Sequence, residues 1–510
     1  MTIPIFRRLP SCFSILAVAT VALCSTAVAG SDAVPVVRLV KEINPGTEGS
    51  DPAAFVTLDG AAYFRANDGS HGFELWRTDG SEAGTELVID LNPGLPNGFP
   101  DSMAALNGSL YFNAFNTSDF TGSKAWKSDG TAAGTTLLAD TFPGLMGGGT
   151  FGPPLPGNFT ALDATSILFT ALDPVGGLEP WKTDGTAAGT SRILDLHPGP
   201  EWSVPIEFTP LREFACFGAD DSVIYNPDGT ATYDRELFRT DGTPEGTSRV
   251  KDINPGPEPS TPTDFIRYHQ FVFFRADDGV HGTELWRTDG TPENTVQVAD
   301  LRPGRLGSLP QDPVIVRFRP AEENGAPADR ADAHNLLVFQ ADDGTHGSEL
   351  FRSDGTEAGT YLIKDINPTG DSFPFGMTQY KDHVYFSAND GVHGEEVWVT
   401  DGTEAGTQLL IDLNPGALRS SPMYFTVVGG RLFFVAIVPD DVHFTVRTQL
   451  WTTDGTAAGT QLVYEEPGND FGYGIENLTR LGRQLLFTAP NDVDGDGFST
   501  DKELFAVSLE

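Results

Sequence analysis

A run of carboxylates near the C-terminus is the part of this sequence best suited to chemistry. Residues 491–503 follow the pattern Asp-x-Asp-x-Asp-Gly, with Glu at the twelfth place, which is the spacing of a calcium-binding loop. Ca²⁺ takes about six to eight oxygen ligands, and a glycine allows the sharp turn that brings them together. We therefore expect one bound calcium ion, held by Asp492, Asp494, Asp496, the Phe498 carbonyl, Thr500 and Glu503.

A plain acidic turn is the alternative for this segment. Glu503 begins a Glu-Leu-Phe segment that matches the repeat described below, and its counterparts in other repeats need no metal. The segment after the loop is predicted to be a strand, so the flanking helices of an EF-hand are not expected.

Histidine recurs in a short loop of sequence Asp-Gly-x-His-Gly and supplies a second set of candidates. The loop gives His71, His281, His346 and His393, and the last three come from consecutive repeats. Imidazole binds transition metals and titrates near neutral pH, so a metal-binding or pH-sensitive patch is one interpretation. We favour a turn-stabilising role, because neighbouring repeats hold equivalent loops apart. His281, His346 and His393 are kept as candidate binding residues.

A repeat positions all of these residues. The phrase Glu-Leu-Trp-x-x-Asp-Gly-Thr occurs eight times in variant forms, and its Asp recurs at intervals of 47–65 residues, which is typical of repeat architectures. A motif present in every unit is expected to be structural, and Phe replaces Trp in some units, which preserves a large apolar side chain. We assign structural roles to Trp76, Asp79, Trp126, Asp129, Trp181, Asp184, Asp241, Trp286, Asp289, Asp354, Trp398, Asp401, Trp451 and Asp454.

Each repeat contains four short apolar segments separated by turn residues. In the fifth repeat the segments 265–268, 271–276, 284–288 and 296–301 are rich in aromatic and β-branched residues, which predicts strands. Asp-Gly supplies the positive φ of a tight hairpin, and Pro-Gly suits a type II turn. Four antiparallel strands at this period predict the blade of a β-propeller.

The two ends of the chain complete one blade. Residues 36–46 have the sequence of a fourth strand without a preceding hairpin, whereas 475–481, 484–489 and 503–507 supply three strands. Pairing these segments closes a ring and removes the exposed edges of an open stack. We predict an all-β fold with a single propeller of nine blades over residues 30–510. An eight-bladed ring with an extra sheet, and two smaller propellers, are the alternatives.

The intact phrase at 284–291 resembles the ELWxxDGT repeat family of bacterial exported proteins. The resemblance covers residues 35–510 and implies a propeller-like repeat protein, secreted or on the cell surface, without an agreed activity. The hairpin phrase is more distantly similar to the repeats of TolB-like propellers and to the Asp-boxes of sialidase propellers. Neither catalytic set has matching positions in this chain.

Insertions between the strands indicate where the ring is decorated. Trp202 is the only Trp outside the repeat phrase, and it lies in the long connection 199–204. This connection, the insertion 222–234, the connection 144–157 and the calcium loop fall on the same face as the histidine loops, whereas 321–333 falls on the opposite face. Trp is enriched at binding hot spots, so we expect Trp202 to be exposed and to anchor a ligand.

The net charge and the N-terminal segment indicate the cellular compartment of the protein and limit its possible partners. Residues 1–29 have the pattern of a secretory signal peptide, with Arg7 and Arg8 before an apolar stretch and Ala27-Val28-Ala29 at its end. Removing them takes two arginines and no acids, so the net charge of −39 becomes −41. The electrostatic field of so negative a protein repels nucleic acid and anionic membranes. We expect a secreted, cell-surface or periplasmic protein with no nucleic-acid partner and no membrane span after cleavage. The oligomeric state is left open.

The leading functional expectation is an exported, non-catalytic, calcium-stabilised protein that binds a protein or a glycan through the decorated face. No nucleophile elbow, zinc motif or unique carboxylate pair stands out, so no catalytic residue is assigned. One alternative is a carbohydrate-active or hydrolytic propeller enzyme with carboxylates at the tunnel. Another is a structural component of the cell envelope. Carboxylates that converge at the tunnel mouth would favour the enzyme.

Overall fold

The computed structural model describes residues 35–45, 49–94, 96–116, 122–141, 156–173, 175–199, 201–225, 230–318, 334–440, 445–466, 474–491 and 502–509. Pro35–Glu510 form one compact unit. All regular structure in the described ranges is β-strand, and none of their segments is a helix long and apolar enough to cross a membrane. The signal segment and the insertion 321–333 lie outside these ranges, as does most of 144–157.

Thirty-six strands form nine four-stranded antiparallel sheets in the described residues, and each sheet is one blade. The chain opens with β1 (Val36–Lys41), which belongs to the last blade. Blades 1 to 4 are β2 (Ala53–Leu58), β3 (Ala61–Asn67), β4 (Phe73–Thr78), β5 (Glu86–Ile89); β6 (Asp101–Leu106), β7 (Ser109–Ala114), β8 (Lys124–Ser128), β9 (Thr136–Ala139); β10 (Gly157–Ala161), β11 (Ile167–Asp173), β12 (Gly177–Thr183), β13 (Ser191–Arg192); and β14 (Ile206–Leu211), β15 (Phe214–Tyr225), β16 (Ala231–Thr240), β17 (Ser248–Lys251).

Blades 5 to 9 follow in the same order. They are β18 (Thr263–Tyr268), β19 (Phe271–Asp277), β20 (Thr283–Thr288), β21 (Val296–Ala299); β22 (Gln311–Phe318), β23 (His334–Asp342), β24 (Ser348–Ser353), β25 (Tyr361–Lys364); β26 (Phe375–Tyr380), β27 (His383–Asn389), β28 (Glu395–Thr400), β29 (Gln408–Ile411); β30 (Met423–Val428), β31 (Arg431–Asp440), β32 (Thr445–Thr453), β33 (Gln461–Glu465); and β34 (Glu476–Leu481), β35 (Gln484–Pro490), β36 (Lys502–Ser508), with β1 as the fourth strand of blade 9.

The blades form a closed ring with the first strand of each blade innermost. First strands of successive blades contact each other all the way round, and β2 contacts β34 to close the circle. β1 pairs with β36 in antiparallel register, with Val36 opposite Ser508 and Leu39 opposite Phe505. The nine-bladed propeller closed by its N-terminal strand is therefore confirmed, and the eight-bladed and two-propeller alternatives are wrong.

The core lies between blades, because each sheet is covered on both faces by its neighbours. The second strands are accordingly almost continuously buried, as in β3. A fully buried Phe recurs in these strands, for example Phe64, Phe112 and Phe169. Stacked aromatic and aliphatic side chains between consecutive sheets thus give the ring its stability.

A left-handed residue recurs at the second position of every first strand. It coincides with a shift in the pairing of the first and second strands, and such a bulge bends a strand and increases its twist. The nine positions are Ala54, Ser102, Asn158, Glu207, Asp264, Asp312, Gly376, Tyr424 and Asn477. This feature could not be predicted from residue type, since few of these residues are Gly or Asn.

Arginines of the third strands join neighbouring blades on the side of the Asp-Gly turns. In blades 4, 5 and 6 the arginine after the repeat Trp or Phe donates to the carbonyl of the turn glycine in the next blade. Arg239 Nη1 lies 3.0 Å from Gly290 O, Arg287 Nη1 lies 2.7 Å from Gly355 O, and Arg352 Nη1 lies 3.0 Å from Gly402 O. Gly355 has φ +89°, and a Cβ there would lie 2.9 Å from Cζ of Phe273. The turn therefore requires glycine for both its conformation and its contact.

Candidate functional site

The four histidine loops stabilise their own turns. Nδ1 of His281 lies 2.6 Å from Oδ2 of Asp278, and Oδ1 of the same Asp accepts the backbone N–H groups of Val280 and His281. His71, His346 and His393 make the same bond to the Asp three residues earlier. This hydrogen bond raises the pKa of each His. Across the described ranges, no three His, Cys, Asp or Glu side chains are grouped so that they could hold a metal ion.

The side of the ring that carries these loops also carries the linkers between blades, and we call it the histidine face. In seven of the nine blades the linker is held by the buried Glu of the repeat phrase, whereas blade 2 has Lys124 and blade 8 has Gln449 at this position. Glu236 accepts N–H of Ile253 at 2.8 Å and N–H and O–H of Ser260 at 3.1 and 2.8 Å. Burial raises the pKa of each such Glu to about 7, at Glu74, Glu179, Glu236, Glu284, Glu349 and Glu396. Each of these linkers is thus fixed at both ends by one carboxyl group.

The Asp residues of the repeat phrase are engaged in their own turns. Oδ1 of Asp241 accepts the backbone N–H of Thr243 at 2.8 Å and its hydroxyl at 2.6 Å, and these bonds hold the pKa of Asp241 below its usual value. Equivalent bonds to the Ser or Thr two residues later occur at Asp79, Asp129, Asp184, Asp289, Asp354, Asp401 and Asp454.

The repeat Trp residues pack between blades. Trp286 lies in a core cluster with Leu237 and Val250 of the preceding blade, and Trp398 lies with Leu350 and Ile363. Trp76, Trp126, Trp286 and Trp398 are buried, whereas Trp181 and Trp451 are half-buried. These positions suit inter-blade wedges.

The calcium loop is outside the described residues except at its last predicted ligand. Asp492, Asp494, Asp496, Phe498 and Thr500 cannot be placed, so the calcium site stays a prediction. Glu503 is buried, and its two oxygens accept N–H of Ile43, Asn44 and Ser50 and the hydroxyl of Ser50. It therefore holds the linker from blade 9 to blade 1, as its counterparts hold theirs.

The insertion 222–234 is largely strand rather than loop. β15 and β16 extend beyond the sheet as a two-stranded ribbon in which Val223 pairs with Tyr233 and Tyr225 with Ala231. Trp202 lies beside this ribbon on the linker between blades 3 and 4 and is 42% exposed. The expected exposure of Trp202 is confirmed, and its role as a ligand anchor stays a prediction.

A cleft of about 250 Å³ opens on the histidine face where blades 9, 1 and 2 meet, and we call it the seam cleft. Asp51 donates its backbone N–H to the carbonyl of Lys502 at 3.1 Å, and Phe99 donates to Phe73 at 2.9 Å. The rings of Phe73 and Phe99 stack with centroids 5.3 Å apart. Its lining is Asp51, Pro52, Ala53, Arg65, Phe73, Phe99, Glu476, Asn477 and Lys502.

Two carboxyl groups of the seam cleft have different environments. Desolvation raises the pKa of Asp51, and the negative charge of Glu476 adds to that effect, while Lys502 and Arg65 oppose it. Glu476 forms an ion pair with Lys502, with 2.8 Å between Oε1 and Nζ. Arg65 forms an ion pair with Asp101 at the rim. Asp51 is thus biased toward its protonated form, whereas Glu476 pairs directly with a lysine.

Asp51 and Glu476 were not among the candidate residues predicted above, although the sequence distinguishes position 51. In seven of the nine blades the first strand is preceded by Ser-x-Pro or Gly-x-Pro, and the middle residue has positive φ. Asp51 is the middle residue in blade 1, and its counterparts in the other blades are Phe99, Val204, Thr261, Leu309, Phe373 and Ser421. Asp51 is the only acid among them, and a departure from a structural repeat marks a position under another constraint.

Known structures resemble the chain in architecture. No family model and no curated protein matches it. A puromycin hydrolase matches with TM-score 0.39 and 14% identity, over 88% of this chain and 60% of its own. A structure from a study of two prolyl endopeptidases matches with TM-score 0.38 and 13% identity, over 77% and 54%. Sqt1 of Saccharomyces cerevisiae matches with TM-score 0.37 and 10% identity, over 84% and 99%.

The chain spans between 54% and 60% of the length of the peptidases that it resembles. The expectation of a non-catalytic protein that binds protein or glycan through one face is corrected by these matches, because they are hydrolases, as in the alternative of a hydrolytic propeller. At such identities the likeness concerns the fold alone, so no residue of those enzymes is transferred.

Proposed function

We propose that this protein is a hydrolytic propeller enzyme that cleaves glycosidic bonds at the seam cleft. The observation that carries the proposal is the pairing of Asp51, whose pKa is raised by desolvation, with Glu476, which is held in an ion pair by Lys502. Two carboxyl groups in different electrostatic environments can divide the acid and base roles of one reaction. Both groups line one cleft.

The chemistry of glycoside hydrolysis fits this pair. One carboxylic acid protonates the leaving oxygen, and a second carboxylate activates water or attacks the sugar carbon. Asp51 is assigned the acid role, since it retains its proton to higher pH than an ordinary Asp. Glu476 is assigned the carboxylate role. The stacked rings of Phe73 and Phe99 offer an apolar wall for a sugar ring.

The remaining lining argues against acyl-transfer chemistry. The described residues that line the cleft include no Ser, Cys, Thr or His, so a hydroxyl or thiol nucleophile with a histidine base is not available there. Cys216, the single cysteine of the described chain, is buried, and burial raises the pKa of its thiol to about 12. A thiolate mechanism is therefore not supported.

The test is hydrolysis of a panel of aryl glycosides and short peptides by the purified protein. We expect at least one glycoside to be cleaved, and Asp51→Asn and Glu476→Gln to lower kcat by about 10²- to 10⁴-fold. Asp59→Asn is the matched control, because Asp51 and Asp59 share positive φ (44° and 48°), which Asn tolerates. This control should retain full activity.

The role of Asp51 predicts a dependence on the leaving group. A more acidic phenol needs less protonation, so Asp51→Asn should be impaired least on the glycoside with the most acidic leaving group. Cleavage of peptides but of no glycoside would overturn the assignment of the bond. Full activity in both cleft variants would overturn the assignment of the site.

A further inference from the structure

Three exposed aromatic side chains lie together on the histidine face at blades 3 and 4. Trp202 is 42% exposed, Tyr225 66% and Tyr233 41%, whereas most aromatic residues of the repeats are buried. The Tyr225 hydroxyl donates a hydrogen bond to Oε1 of Glu201, the neighbour of Trp202. Tyr225 lies two residues from Val223, the partner of Tyr233, so the two Tyr side chains share one face of the ribbon.

The linker that carries Trp202 is firmly anchored. Ser203 donates its backbone N–H to Leu178 O at 3.1 Å and its hydroxyl to Glu179 Oε2 at 2.7 Å, and it is fully buried. Gly177, with φ +76°, leaves room for this linker, because a Cβ there would overlap the Glu201 carbonyl oxygen and lie 2.8 Å from Cδ1 of Trp202. The backbone that carries the indole is therefore closely packed, although the ring is open to solvent.

The ribbon that carries the two tyrosines is anchored by ion pairs at its base. Arg235 binds Asp220 through Nε and Nη2, each at 3.0 Å. Arg249 binds Asp221 at 3.0 and 2.8 Å and reaches Asp234 at 3.2 Å. Two-point contacts between arginine and carboxylate fix geometry as well as charge. The ribbon is thus held rigidly beside Trp202.

Flat aromatic faces that are exposed and pre-positioned suit the apolar faces of sugar rings. The Glu201 carboxylate among them accepts hydrogen bonds, as sugar hydroxyls require. The chain has a net charge of −39, which repels uronic-acid and sulfated polymers. The chemistry therefore selects an uncharged polysaccharide over an anionic one.

We propose that Trp202, Tyr225 and Tyr233 form an accessory platform that holds an uncharged polysaccharide, the polymeric form of the substrate cleaved at the seam cleft. The identification of the bound polymer as substrate rests on the proposed glycosidase function. The platform belongs to blades 3 and 4, whereas the seam cleft belongs to blades 9, 1 and 2. It is therefore a holding site apart from the reacting groups.

The test is affinity electrophoresis of the full-length protein in gels that contain xylan, a β-glucan, starch, or alginate as the anionic polymer. We expect retardation in at least one uncharged polymer and none in alginate. Trp202→Ala and Tyr225→Ala should each weaken that binding by about tenfold or more, as for hot-spot aromatics. Tyr361→Ala, which removes a ring that is 45% exposed on an outer strand, should bind like wild type.

Hydrolysis is measured separately, so that the two proposals can fail independently. Both platform variants should keep wild-type kcat/KM on a small aryl glycoside and lose rate on the polymer. Binding by wild type that survives both substitutions would overturn the platform, as would the absence of retardation in every uncharged polymer or retardation in alginate alone. Loss of hydrolysis in Asp51→Asn with unchanged retardation supports both assignments.

Discussion

The buried Glu residues that hold the linkers should make stability fall as pH rises, and Glu236 allows the effect to be isolated. Its folded-state pKa is about 7, against 4.5 when exposed. The folded chain therefore binds a proton more tightly than the unfolded chain, and this contribution is present at low pH and lost as pH rises through about 7. Linkage gives a loss of about 2.5 kcal/mol between about pH 5 and about pH 8.

Glu236→Gln removes that titration and keeps the shape of the protonated side chain. Urea unfolding of wild type and variant near both pH values gives two differences in the free energy of unfolding. The free energy of unfolding of the variant is subtracted from that of wild type at each pH. This difference should be larger near pH 5 than near pH 8 by about 2.5 kcal/mol. Glu258→Gln, in the same linker but exposed, is the control and should show no such change. Equal differences for Glu236→Gln at the two pH values would refute the burial argument.

Three further results are expected. Trp286→Ala should lower the free energy of unfolding by about 3 to 5 kcal/mol, and a thermal melt like that of wild type would contradict the packing role. Gly355→Ala should cost about 1 to 3 kcal/mol more than Gly60→Ala in denaturant unfolding, because both have positive φ but only Gly355 meets a neighbouring ring. Calorimetric titration of residues 30–510 should show one bound Ca²⁺ that is lost in Asp494→Asn; no heat in wild type would remove the site.

The architecture could be predicted from sequence because its determinants are local and repeated. Asp-Gly turns mark hairpins at a regular period, and the unpaired segment 36–46 requires the C-terminal hairpin as its partner. The role of the repeat Glu was less accessible. Glu236 binds groups 17 and 24 residues later, and only the folded linker shows that both lie at one carboxyl group.

The candidate site could not be predicted in the same way, because it depends on closure of the ring. Asp51 and Glu476 lie near opposite ends of the chain and meet only when blade 9 joins blade 1. Candidates such as His281 were predicted in loops that recur from blade to blade. The seam cleft has an acid, Asp51, at a position where the other blades have an apolar residue, Ser or Thr.

The first two residues of β36, Lys502 and Glu503, contribute both to the closure of the ring and to the seam cleft. Glu503 holds the linker that leads to Asp51, and the carbonyl of Lys502 accepts the backbone N–H of Asp51. The side chain of Lys502 also pairs with Glu476. Lys502 and Glu503, adjacent residues of β36, therefore fix the positions of both carboxyl groups. Glu503 accepts the linker N–H groups in the same way as Glu236 and its counterparts. The seam cleft is thus lined by the acid at position 51 and the cation at position 502 on a backbone that the repeat already provides.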